Sequence, residues 1–123
     1  MAATQHSPSP AFGVSVTHHT VGHRCVLTVD GEVDLSTVDA LATAIDRAVD
    51  AGATELWLDL SPTLFMDSAG LHLLLDTRER LMELNRRLAI ICPAGPVRRL
   101  FEVAGADQLL PLYDDRGSAH LAG

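Results

Sequence analysis

Lysine is missing from the 123 residues; all nine cations are arginine. That absence excludes any mechanism built on a catalytic or phosphate-binding lysine. A P-loop cannot occur without its Gly-Lys-Ser/Thr core. A phosphoreceiver site is excluded on the same ground, although Asp59 stands at a strand end. Cysteine is scarce: Cys25 and Cys92 have neither the number nor the spacing of a metal site, and both sit in apolar, strand-like runs. They read as reduced, buried thiols of a cytosolic protein. No apolar run approaches membrane-spanning length, and residues 1–10 carry no apolar signal core. The expected location is therefore cytoplasmic, with no membrane partner. The formal net charge of -7 argues against nucleic acid. A Gly-x-Ser-x-Gly nucleophile elbow is missing too, so Ser68 and His72, four apart beside Asp67, lack the setting of a hydrolase triad.

What is present is an ordinary globular composition, 47% hydrophobic, in a chain of one-domain length. A chain of this size buries roughly two thirds of its surface on folding and needs no staples. Residues 1–12 hold Ser7-Pro8-Ser9-Pro10 and no periodicity, which predicts a disordered tail. The domain is expected over 13–115, and 116–123 as a short helix or tail.

Residues 14–20 alternate, 21–24 turn, and 25–29 alternate again, which predicts a hairpin. Ser36 offers a helix N-cap with Asp39 three residues on. Val38, Leu41, Ile45, Ala48 and Val49 then recur at helical spacing, and Gly52 stops the helix. Residues 55–60 form a central strand with Leu56, Leu58 and Leu60 on one face. A turn over 61–67 leads into a helix over 68–85, with a stripe of Leu71, Leu74, Leu75, Leu81 and Met82. Asp76 with Arg80, and Glu83 with Arg87, are acid-first pairs four apart. Residues 88–92 read as a strand, 96–104 as a helix, and 109–113 as a short strand broken by Pro111.

Strands alternating with helices place the chain in the α/β class, with a parallel sheet and right-handed crossovers. The sheet is expected to be mixed, with four or five strands, the first antiparallel. Partners meet such sheets at the carboxyl ends of the strands. Residues 34–36, 61–67 and 93–96 emerge there, so Asp34 and Ser68 belong on one surface.

Asp67-Ser68-Ala69-Gly70 lies where the central strand hands over to a helix. One reading is plain capping, with Asp67 the N-cap and Ser68 a tolerated first residue. The other is functional. Gly70 costs about 1 kcal/mol of helix stability relative to alanine, Phe65 and Met66 are large apolar residues in a short turn, and Ala69 leaves the Ser68 hydroxyl accessible. Asp34 likewise reads either as a turn residue or as a polar contact to a partner.

The string Leu58-Asp59-Leu60-Ser61, followed by Phe65-Met66-Asp67-Ser68-Ala69-Gly70-Leu71, resembles the signature of STAS-domain anti-sigma factor antagonists. Gly31-Glu32-Val33-Asp34-Leu35-Ser36 resembles that family's other characteristic segment, and the likeness of layout covers about 14–115. The resemblance implies a bacterial protein and a sheet ordered as the chain runs. Crossovers moving steadily one way then put the helices mainly on one face. It also implies a non-enzymatic, cofactor-free binding switch in stress-response transcription. Unphosphorylated antagonist binds an anti-sigma factor serine kinase, phosphate on the serine after the aspartate releases it, and a metal-dependent phosphatase restores it. Here the acceptor is Ser68, and Ala69 stands where relatives often carry a second hydroxyl residue. The partner surface expected is Asp34, Ser36, Phe65, Met66, Asp67, Ser68, Ala69, Gly70 and His72, on a protein that is monomeric when free. The alternative is a STAS-type adaptor or nucleotide-sensing module outside a sigma-factor pathway.

Overall fold

A computed structural model describes residues 13–122; the tail expected over 1–12 lies outside the described residues. The β-branched alternation of residues 14–21 makes a strand, β1 (Val14–Val21), which turns at Gly22-His23 into β2 (Arg24–Val33). The two pair antiparallel, with Val14 opposite Gly31 and Val21 opposite Arg24. Every other pairing is parallel. β2 takes β3 (Glu55–Asp59) along residues 24–28 and β4 (Thr63–Met66) along residues 31–33. β3 takes β5 (Arg87–Ile91), and β5 takes β6 (Leu112–Tyr113). The sheet order is β1-β2-β3-β5-β6, with β4 against the far part of β2.

The strand β4 corrects the expected turn over 61–67. Its alternation is invisible in sequence because Leu64 and Phe65 are both exposed while Thr63 and Met66 are buried. A register shift between Gly31 and Glu32 permits that pattern. Buried Thr63 is satisfied by donating its hydroxyl to the Val29 carbonyl at 2.6 Å.

Three helices cover one face: α1 (Val38–Asp50), α2 (Ser68–Glu83) and α3 (Pro96–Val103). Their apolar stripes, including Leu41, Ile45, Leu74 and Phe101, pack on Leu27, Val29, Leu56, Leu58 and Ile90. The apolar face of the central strand thus sits under the helices, as its pattern predicts. Both cysteines are buried and free; burial pushes the Cys92 thiol up to about 11 and raises that of Cys25.

Two details of α2 differ from expectation. Met82 is 58% exposed; Thr77 is buried instead and returns its hydroxyl to the Leu73 carbonyl at 2.7 Å. The acid-first pairs within the helix do not form, because longer-range partners win. Arg80 reaches Asp46 of α1 at 2.6 Å, and Arg87 reaches Glu55 of β3.

A last helix, α4 (Arg116–Ala122), lies on the other face, with Ala119 against Val26, Trp57, Ala89 and Ile91. Polar contacts pin it. Arg116 donates to Asp59 at 2.8 Å, and Arg87 Nη2 donates to the Ala119 carbonyl at 2.8 Å. Beneath it, Glu55 accepts from Arg24 and from the Trp57 indole at 3.0 Å. Arg87 Nη1 stands 3.2 Å from Glu55, an ion-pair contact without hydrogen-bond geometry. The Arg24 guanidinium also lies 4.1 Å above the Trp57 ring.

Burial alone would raise the Glu55 carboxyl, but Arg24 and Arg87 outweigh it and hold it below the ordinary range. A carboxylate with a depressed folded-state pKa contributes stability at neutral pH that is lost as pH falls through that range, below about 4.3. Glu55→Gln is therefore expected to cost about 2 kcal/mol at pH 7, less than a fully buried pair because solvent screens it. The difference from wild type should shrink toward pH 3 in denaturant titrations. A pH-independent difference would refute the ion-pair account.

Candidate functional site

Residue 67 is where strand chemistry ends and helix chemistry begins. Asp67 is extended (φ −104°, ψ −170°), and its carboxylate accepts the Ala69 N–H at 2.9 Å and the Gly70 N–H at 3.4 Å. The capping reading of Asp67 therefore holds. Its own N–H donates to the Val33 carbonyl at 3.0 Å, which stitches the start of α2 to the end of β2. That single bond places Asp34, the next residue of β2's exit, beside the mouth of α2.

Ser68 is the first helical residue and is exposed; among the described residues its hydroxyl makes no hydrogen bond. The cap and the free hydroxyl coexist, because Asp67 carries the helix start and Ser68 is left to solvent.

Asp34 is locked by its own loop. Its carboxylate accepts the Ser36 hydroxyl at 2.6 Å and the Ser36 N–H at 2.9 Å. The Ser36 hydroxyl leads the causes that lower the Asp34 pKa, so it is charged at neutral pH. Ser36 is thereby not the N-cap expected of it. Thr37 occupies that position and makes no side-chain cap bond. Its hydroxyl instead accepts the Asp34 N–H at 2.9 Å and donates to the Glu32 carbonyl at 2.7 Å. The loop's own polar groups outcompete the helix start for these hydroxyls.

The expected surface residues divide in two. Ser36, Phe65, Ser68 and His72 are exposed, and Asp34, Asp67 and Ala69 half-buried, at the same end of the sheet. Met66 is only 4% exposed and Gly70 is buried, so both lie out of a partner's reach. They pack on each other: a Cβ on Gly70 would stand 2.6 Å from the Met66 Cγ and 2.9 Å from the Val33 Cγ1. Gly70 is there because α2 crosses close over β2 and β4.

Sequence reasoning passed over Leu35 and Leu64. They are 80% and 67% exposed and, with Phe65, put bare apolar side chains on the segments that follow Asp34 and lead into Asp67. An apolar residue inside a polar turn was the signal available. Thr37, which fixes Asp34, gave none.

Among the described residues no group of three or more His, Cys, Asp or Glu is placed to hold a metal, and no helix is long and apolar enough to cross a membrane. The arrangement offers an accessible hydroxyl at the start of α2, the fixed carboxylates of Asp67 and Asp34 at the same end of the sheet, and exposed apolar residues, which suits recognition and modification by another protein.

The profile of the STAS domain matches residues 15–119. The chain is 32% identical over 100 residues to an anti-sigma F factor antagonist of Paenibacillus polymyxa, covering 79% of this chain and 86% of that one. It is 32% identical over 101 residues to the anti-sigma-F factor antagonist RsfB of Mycobacterium tuberculosis, covering 80% and 82%. The crystal structure of an anti-sigma factor antagonist from Mycobacterium paratuberculosis superposes with a TM-score of 0.82 at 28% identity, covering 94% of this chain and 96% of that one.

Proposed function

The chain belongs to the STAS-domain family, and from that premise we propose that it is an anti-sigma factor antagonist whose docking is switched by phosphate on Ser68. The observation that carries this reading is the exposed, unbonded Ser68 hydroxyl at the first position of α2, next to the Asp67 cap and at the sheet end that also carries Asp34 and the exposed Leu35, Leu64 and Phe65. Unphosphorylated, this surface docks on an anti-sigma factor that is also a serine kinase. Asp34 and Ser36 supply polar contacts at the rim, and Phe65 with its apolar neighbours supplies the buried anchor. Ala69 and His72 extend the footprint along α2. The kinase brings its own base and magnesium, so the antagonist contributes only the acceptor and its presentation. A metal-dependent serine phosphatase resets the switch. The protein itself turns over no substrate.

The test is phosphorylation. Incubated with ATP and its cognate anti-sigma serine kinase, the protein is expected to gain one phosphate, located on Ser68 by mass spectrometry, and Ser68→Ala to gain none while still binding. Stable binding by wild type with no phosphate transferred would overturn the switch and leave an adaptor role. Phosphate on another residue would overturn the assignment of Ser68.

A further inference from the structure

The outer edge of β1 is the second feature of the molecule built to meet another chain, and nothing in the proposed switch uses it. β1 ends the sheet, with β2 as its only strand neighbour among the described residues. Its eight residues include no aspartate, glutamate, lysine or arginine, no proline and no bulge in the pairing with β2. These are the devices by which sheet edges are normally blunted. The hairpin loop has two residues, and Gly22 at its first position takes φ 61°, as a type II′ turn requires. The flanking Val21 and Arg24 are then a hydrogen-bonded pair, and alternation along the ladder turns the N–H and C=O groups of Val14, Val16, His18 and Thr20 outward.

Both faces beside this edge are open. On the helix side a groove of about 760 Å³ runs between the hairpin and α1; Val16, Leu27 and Ala48 line it together with His18, His23 and Arg47. On the other side a groove of about 610 Å³ runs between the hairpin and α4; Trp57 and Leu121 line it together with His19, Arg24, Arg116 and His120. An arriving strand would lay alternate side chains into the two grooves. Four of the six histidines and three of the nine arginines of a chain with net charge -7 line these grooves, and among the described residues no aspartate or glutamate does. Arg116 is paired with Asp59, and Arg24 shares Glu55 with Arg87. Among the described residues Arg47 has no ion pair, so its charge is free to act outward.

We propose that β1 is a strand-addition site for an extended acidic polypeptide segment, which pairs with the outward groups of Val14, Val16, His18 and Thr20 and sets its carboxylates against the basic rims of the two grooves. A second copy of this chain is a poor occupant, because it would bring the same basic rims together. The basic grooves lie away from the Ser68 surface: they flank the amino end of β2, and Ser68 sits at its carboxyl end. Charge on Ser68 is therefore expected to leave the grooves unaffected.

The test uses a decapeptide of alternating valine and glutamate, with the valine–lysine decapeptide as its charge control, titrated into isotopically labelled full-length protein. The expected result is amide shifts and slowed exchange along residues 14–21, weakened by salt, for the acidic peptide alone. Arg47→Glu should weaken binding about fivefold or more, on the scale of one exposed charge contact. His18→Pro removes an outward N–H without touching the β1–β2 ladder, and should abolish binding while keeping the fold. Ser68→Asp should leave it unchanged. Equal binding of both peptides, shifts centred elsewhere, or no shifts at about 1 mM peptide would each overturn the proposal. So would concentration-dependent dimerisation through β1 in sedimentation, which would give the edge to a second copy.

Discussion

Protein phosphorylated on Ser68 is expected to bind its anti-sigma partner about a thousandfold more weakly than unmodified protein, a loss of about 4 kcal/mol. The helix N-terminus would ordinarily cushion a phosphate, since its free N–H groups and dipole favour an anion. Here that capacity is already taken, because the Asp67 carboxylate accepts the Ala69 and Gly70 N–H groups. The added charge of about -1.5 to -2 then stands next to the Asp67 carboxylate that caps the helix, with Asp34 at the same end of the sheet. In solution water solvates it. At a docked interface it must be stripped of water without a partner, and that penalty is several kcal/mol. Because the hydroxyl points to solvent, the domain's own fold is untouched, and the thermal midpoint should move by no more than about 2 °C. Ser68→Asp carries a smaller charge and should lose at least tenfold in affinity. Isothermal titration and calorimetric melting of the same samples check both halves. Tight binding by the phosphorylated protein, or a large drop in its melting temperature, would refute repulsion without refolding.

Gly70→Val should cost about 3 kcal/mol and lower the thermal midpoint by roughly 10 °C. Alanine at this position would gain about 1 kcal/mol of helix propensity, yet its Cβ would already be 2.6 Å from the buried Met66 side chain and 2.9 Å from Val33. Valine adds two methyl groups to that collision with little propensity gain. Relief must come from Met66, so Gly70→Val combined with Met66→Ala should recover at least 1 kcal/mol of the sum of the single losses. Additive losses in a double-mutant cycle would show that the two residues do not contend for one space. The variant should also weaken partner binding, because pushing α2 off β4 moves Ser68 relative to Phe65.

Much of this architecture was legible in the sequence because its signals are local. The hairpin, α1, β3, α2 and α3 each rest on their own periodicity and stop residues, and right-handed crossover is enough to bring Asp34 and Ser68 to one end. What was hidden depends on contacts between distant residues. Thr63–Met66 shows no strand alternation, since its outward pair is Leu64-Phe65 and its register is set by a shift in β2. Ser36 has every mark of an N-cap, but the neighbouring Asp34 carboxylate binds it first. Met66 and Gly70 belong to the motif and so looked like contact residues, whereas α2's close crossing makes them packing residues. Arg80 and Arg87 had partners four residues away on their own chain segment and took ones from α1 and β3. No reading of a single segment weighs those alternatives.

β2 carries more than one strand's share of neighbours: β1 along residues 24–31, β3 on its first half, β4 on its last residues, and Asp67 at its final carbonyl. The acceptor platform is thus anchored to the part of the sheet least able to open alone. In deuterium exchange the Asp67 amide should be among the slowest in the molecule and should track global unfolding. If Ser68 is the acceptor proposed, a kinase meets it on the first turn of α2 rather than on a loop to fold around. It must recognise a preformed ledge, and its specificity has to come from shape as much as from the residues flanking the serine.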